Sequence, residues 1–143
     1  MKRVFLWAVC LLWGTVLTAQ DAVLGTWKSI DDQTGEAKSH VQIYKKGDKV
    51  YGKIVKILTE KGDDALCDAC KGKKKNQSVL GMNIIEGLST DGERWRDGKI
   101  LDPENGNTYG CVIWVPEGKK NELKVRGRHW TGLYRTQTWY RVK

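Results

Sequence analysis

Residues 100–128, ILDPENGNTYGCVIWVPEGKKNELKVRGR, hold three stretches of alternating side chains separated by two turn signatures. Tyr109, Cys111, Ile113 and Val115 fall on one face of an extended segment, and Leu123 and Val125 alternate with Lys124 and Arg126. Successive side chains of a strand point to opposite faces, so this period of two marks strands with one buried face. DPENGN and PEGKKN supply the Asp, Asn, Gly and Pro that tight turns require. The stretch reads as a ladder of antiparallel hairpins.

The same rhythm extends in both directions. Segments 24–30, 39–46, 49–58, 79–88, 93–96, 99–102, 108–115, 122–128 and 133–142 read as strands, with turn residues every eight to twelve positions. In the second of them Val41 and Ile43 oppose His40, Gln42 and Tyr44. Apolar residues seldom recur at helical spacing. Eight or nine short strands joined in sequence favour a single antiparallel up-and-down β-barrel of about eight strands over a sandwich, the alternative all-β solution. Thr59 to Ser78 breaks the rhythm, and a stretch that long inside a small domain is either functional or tied down.

The first residues read differently. Lys2 and Arg3 precede an apolar run from Val4 to Leu17 and then small and polar residues, the order of a secretory signal peptide. The run is shorter than the roughly 18–20 residues a spanning helix needs. The expected organisation is therefore a signal peptide over residues 1–19 and one β-barrel domain over 20–143, exported to the periplasm or the extracellular space, with no transmembrane segment in the mature protein. Without Lys2 and Arg3, 23 of the 25 basic residues remain against 17 acidic ones, a net charge of about +6. Phe5 lies in the leader, so the mature aromatics are Trp27, Trp95, Trp114, Trp130, Trp139 and five tyrosines.

Export removes Cys10 and leaves Cys67, Cys70 and Cys111. In an oxidising compartment the economical arrangement is a Cys67–Cys70 disulfide stapling the 59–78 loop, with Cys111 buried on its strand; the alternative pairs Cys111 with a loop cysteine. A redox role for Cys67-Asp68-Ala69-Cys70 needs a βαβ context that is missing, and a zinc site needs four ligands that local sequence does not supply. Metal and cofactor are therefore not expected. Lys71, Lys73, Lys74 and Lys75 concentrate positive charge on the loop and suit an acidic envelope polymer. They lack the interleaved aromatics of a nucleic-acid surface, so no nucleic acid is expected. Asp31 and Asp32, Asp63 and Asp64, and Asp102 with Glu104 sit in turns, where carboxylates bond local backbone. His40 and His129 show no catalytic pattern, and no enzyme is expected.

The last strand places Leu133, Arg135, Gln137, Trp139 and Arg141 on one face, so a barrel that turns this face inward has a partly polar interior. The combination of GTW at 25–27, CDAC at 67–70, LGMNIIEGL at 80–88, ILDPENGNTYGC at 100–111, VRGR at 125–128 and YRTQTWYR at 134–141 resembles a family of small exported bacterial proteins catalogued as a domain of unknown function, the 2147 family. The resemblance covers nearly the whole mature chain. It implies a lipocalin-like barrel and no established activity. The GTW opening and a late arginine also resemble the lipocalin pattern of a tryptophan packed under an arginine at the barrel base, parts for Trp27 with Arg135 or Arg141. The expected function is a non-catalytic binding module for a small amphipathic or anionic molecule, lined by Tyr109, Trp114, Arg135 and Trp139. The alternative is an envelope interaction or structural protein that works through the basic loop.

Overall fold

The alternation read from 100–128 continues around a closed ring of eight strands in the computed structural model, which describes Thr18 and residues 20–143. The expected signal peptide lies, all but Thr18, outside the described residues. The strands are β1 (Gly25–Ile30), β2 (Ala37–Lys46), β3 (Lys49–Ile57), β4 (Asn83–Thr90), β5 (Trp95–Leu101), β6 (Thr108–Trp114), β7 (Glu122–Arg128) and β8 (Tyr134–Arg141). Each pairs antiparallel with the next, and β8 returns to β1 through Trp27↔Arg141 and Lys28↔Tyr140. The antiparallel up-and-down barrel of eight strands read from the sequence is the fold.

Two boundaries differ from the sequence reading. Segments 93–96 and 99–102 are one strand, β5, because Asp97 takes a positive φ and the β5–β6 register shifts between Trp95 and Gly98. Such a bulge lets a strand bend and continue where its residues suggest a turn. Residues 79–82 precede β4 as a loop, turned by Gly81, although Ile54 N–H still donates to Met82 O and Gly81 N–H to Ile54 O.

The long 59–78 segment folds back on itself. Leu66 bridges Ser78, Cys67 N–H donates to Gln77 O, and Asn76 N–H donates to Cys67 O. At its turn Cys67 and Cys70 form the expected disulfide, both buried. Among the described residues Cys111 is the free cysteine, and burial pushes its thiol up to about 12, leaving almost no thiolate at neutral pH.

One end of the barrel is packed solid. Trp27, Trp95, Ile43, Leu88, Ile113 and Leu123 are fully buried there. The N-terminal 3-10 turn Asp21–Val23 closes that end, and backbone carbonyls receive both indole protons: Trp27 Nε1 donates to Val23 O and Trp95 Nε1 to Gln20 O, each at 2.8 Å. A buried indole without an acceptor carries the full desolvation cost of its N–H, so these two bonds fix where the N-terminal segment lies. Arg141 stacks above, its guanidinium carbon 4.1 Å from the centre of the Trp27 ring. Gly25 sits beneath it at φ 123°, where a Cβ would stand 2.9 Å from Arg141 Nη1. Among the described residues no helix is long and apolar enough to cross a membrane.

Candidate functional site

The inward positions change character along the barrel axis. Tryptophans and large aliphatics fill the closed end, whereas toward the other end the inward residues include Ser29, Ser39, Ile54, Val125 and Gly127. Small side chains cannot meet across the barrel, and a cavity of about 540 Å³ remains. That falls in the range of ligand sites, about 300–1,000 Å³. It opens among the β1–β2, β3–β4, β5–β6 and β7–β8 loops.

Trp139 forms the floor, paired in register with Leu123 of the closed end. Ile54, Ile84, Ile100 and Val125 make an apolar wall. The polar groups within are already bonded to one another. Ser29 and Ser39 hydroxyls lie 2.9 Å apart, and Ser39 N–H donates to Ser29 Oγ. Trp139 Nε1 donates to Gln137 Oε1 at 2.9 Å, and Gln137 Nε2 donates to Asp32 Oδ1 at 3.2 Å. Asp32 receives Arg135 as well, from Nε at 3.1 Å and from Nη2. The polar line thus runs up β8 from the floor to the mouth.

This line also closes the barrel. Backbone pairing between β1 and β8 is confined to residues near the closed end, so at the open end Asp32, just past β1, is joined to β8 by the side chains of Arg135 and Gln137. The Arg135 guanidinium, followed by the Gln137 amide, holds the Asp32 carboxyl below the usual carboxylate range. A carboxyl whose pKa is depressed in the folded state stabilises that state above its unfolded pKa and ceases to do so as pH falls through the folded value. Wild type is therefore expected to exceed Asp32→Asn in stability at neutral pH, with the gap vanishing in acid below the ordinary carboxylate range. Urea denaturation of both proteins across pH 2–7 checks this, and a gap that persists unchanged at the acid end contradicts it.

Of the residues expected to line the site, Tyr109, Arg135 and Trp139 do. Trp114 does not. It faces outward, with Arg94 and Arg126 guanidinium carbons 4.2 and 5.0 Å from its ring centre. The physical reason is the period of two: Ile113 points inward, so its neighbour points out. Trp27 meets Arg141; Arg135 lies at the opposite end of the barrel. Arg141 also donates to Leu24 O, Ala22 O and Lys120 O, and burial pulls its pKa below the ordinary guanidinium value.

The loop lysines divide. Lys74 is half-buried, donates to Asn83 O and pairs with Glu86 at 3.1 Å, whereas Lys71, Lys73 and Lys75 are exposed, Lys75 donating to Asp68 O. Ser29, Ser39, Ile54 and Gly127 were not among the expected liners. Their signal was available as inward phase on strands already identified, but phase alone does not say at which end a barrel is empty.

The stapled loop rests on the turn between β5 and β6. Cys67 Sγ lies 3.4 Å from Pro103 O, and a Cβ on Gly106 would fall 1.9 Å from Ala69 O. CDAC and DPENG, far apart in the chain, are thus two halves of one contact beside the cavity mouth.

Comparison with known proteins fits this architecture. A family model described as "Uncharacterized protein conserved in bacteria (DUF2147)" matches residues 25–141. HP1028 from the human pathogen Helicobacter pylori, described as belonging to the lipocalin family, is similar in structure, with a TM-score of 0.71, 18% identity, and coverage of 84% of this chain and 82% of that one. At that identity the likeness concerns the fold. No curated protein matches the chain.

Proposed function

The chain belongs to the DUF2147 family of uncharacterized proteins conserved in bacteria, and we propose that it is an exported, non-catalytic binding module holding one small amphipathic molecule in its barrel. The observation that carries this reading is the cavity of about 540 Å³, apolar on its walls, closed below by Trp139 and open at one end. Removing a ligand's apolar surface from water is worth roughly 25 cal/mol per Å², and a concave apolar site already formed spends little on ordering itself.

The polar groups favour an amphipathic ligand over a simple anion. Arg135 already has Asp32 as its counter-charge, and Lys38 already has Glu36 and Glu104. Within the barrel a free anion would have to displace a carboxylate, whereas the remaining lining cation, Lys61, is exposed at the mouth, where it suits the polar end of an amphipathic molecule. The envelope-polymer reading has less support, since Lys74 and Lys75 are engaged by their own loop and by β4. The Cys67–Cys70 disulfide suits an oxidising compartment, and export through residues 1–19 is part of the proposal.

The test is occupancy. Native mass spectrometry of the exported protein under non-reducing conditions is expected to show a co-purifying small molecule, or a one-to-one complex after addition of the neutral fluorophore N-phenyl-1-naphthylamine. Gly127 lines the cavity, and a Cβ there meets Tyr109 Cβ at an ordinary 3.5 Å, so Gly127→Phe has room to enter the barrel. It is expected to weaken the fluorophore at least about tenfold, about 1.4 kcal/mol, while the fold is retained. A wild-type protein that binds nothing, or a filled variant that binds as well, refutes the proposal.

A further inference from the structure

Among the described residues four of the six exposed large apolar side chains gather at one end, while Val55 and Tyr140 stand apart on the outer faces of β3 and β8. Trp130 is 88% exposed, Leu133 75%, Tyr134 61% and Leu66 55%, and all four stand at the open end. Leu66, Leu133 and Tyr134 also line the cavity mouth. Trp130 projects from the turn between β7 and β8, touching the His129 ring at a centroid distance of 5.4 Å.

The turn that presents it is built. His129 N–H donates to Leu133 O at 2.7 Å, Gly132 N–H donates to His129 O at 2.9 Å, and the His129 and Thr131 side chains bond at 2.8 Å. A large apolar side chain displayed on an ordered turn has already met the ordering cost of binding.

The hairpin that presents it carries one sign of charge. From Leu123 to Lys143 there is no Asp or Glu, while Arg126, Arg128 and Arg135 cluster toward this end. On the adjacent loops Asp32 is matched by Arg135, and Glu36 and Glu104 by Lys38. Asp31 and Asp102 accept backbone N–H groups of their own turns, and the β3–β4 loop carries both signs, Glu60, Asp63 and Asp64 with Lys61, Lys71 and Lys73. Arg128 is exposed, and Arg126 lies between the Trp114 and Tyr134 rings.

We infer that the tip of the β7–β8 hairpin docks the barrel, mouth first, on an anionic lipid surface. Trp130 and Leu133 enter the interfacial layer, where an indole keeps its ring in an apolar environment and its N–H in a polar one. Arg126 and Arg128 stand behind them at the level of the head-group phosphates, each basic residue near such a surface adding about fivefold to binding. One narrow turn offers a protein partner little of the roughly 800 Å² a side that a stable interface uses, whereas a bilayer accepts a few aromatic and basic anchors. The docking stands apart from the ligand proposal; where both hold, the cavity opens onto the membrane and its occupant passes without crossing water.

The test uses the full exported chain in co-sedimentation with vesicles of phosphatidylcholine and of a phosphatidylcholine–phosphatidylglycerol mixture. The protein is expected to bind the anionic vesicles, less so as salt is raised, and weakly or not at all to the neutral ones. Trp130→Ser with Leu133→Ser should reduce that binding at least about tenfold, and Arg128→Glu at least about fivefold, with circular dichroism unchanged. Brominated lipid should quench wild-type tryptophan fluorescence and lose most of that quenching in Trp130→Tyr. The cavity-filled Gly127→Phe should bind vesicles like wild type, which separates failure of docking from failure of ligand binding. No vesicle binding, equal binding to both compositions, or binding indifferent to Trp130 and Leu133 overturns the inference and leaves the rim to a protein partner.

Discussion

Trp27→Ala is expected to cost about 3–5 kcal/mol of folding stability, the range for deleting a fully buried large aromatic. The indole is completely buried at the closed end, its N–H satisfies Val23 O, and its ring carries the Arg141 guanidinium. Truncation opens a cavity among residues that cannot collapse, because the barrel wall is closed by backbone pairing on both sides of β1. It also leaves the Val23 carbonyl without its donor and Arg141 without its aromatic face. For a domain of this size the drop in Tm should be roughly 10–20 °C. Urea denaturation gives the free energy directly, and Trp130→Ala is the control. That side chain is almost wholly in solvent, so its loss should fall within about 0.5 kcal/mol of wild type. A Trp27→Ala protein less than about 1 kcal/mol below wild type would mean that the closed end is not packed as described.

Gly106→Ala should act on the mouth instead of the base. Its φ of +74° strains any side chain, and the new Cβ would fall 1.9 Å from the carbonyl oxygen of Ala69 in the disulfide-stapled turn. One partner must move. The β5–β6 turn is held by Asp102, whose carboxylate receives Glu104 N–H and the Asn105 side-chain amide, so displacement is expected in the stapled loop. The loss should be about 1–3 kcal/mol. Its signature is local: hydrogen exchange at the Cys67 and Asn76 amides and proteolysis between Leu66 and Ser78 should rise before global unfolding. Gly110→Ala provides the comparison, since its nearest contact would be an ordinary 3.7 Å, and it should leave loop protection unchanged. Equal protection in Gly106→Ala and wild type would show that CDAC and DPENG do not bear on each other.

These two positions mark how legible the molecule was. Trp27 with a late arginine was readable through the resemblance of GTW and the last strand to the lipocalin pattern. Which arginine meets Trp27 was not readable, since Arg135 and Arg141 share one phase of that strand and differ only in height along the axis. The contact between Gly106 and Ala69 left no local trace. Glycine in DPENG reads as an ordinary turn residue, and its second role depends on a loop more than thirty residues earlier in the chain folding over it. Trp114 was assigned to the cavity on its chemistry, although the alternation of its own strand turns it outward.

What the sequence determined by itself is what depends on neighbours one or two residues away. Alternation set which side chains face inward, turn residues set where the chain reverses, and sequential hairpins with a buried face led to the barrel. Cysteine spacing suggested the staple that joins Cys67 to Cys70. Tertiary structure decided the cavity, its open end, the continuity of β5 through Asp97, and the joining of β1 to β8 by Asp32, Arg135 and Gln137. Those features follow from the stagger with which eight strands close on themselves. Stagger sets which inward residues share a level, and whether a level holds tryptophans that meet or serines and glycine that leave a gap.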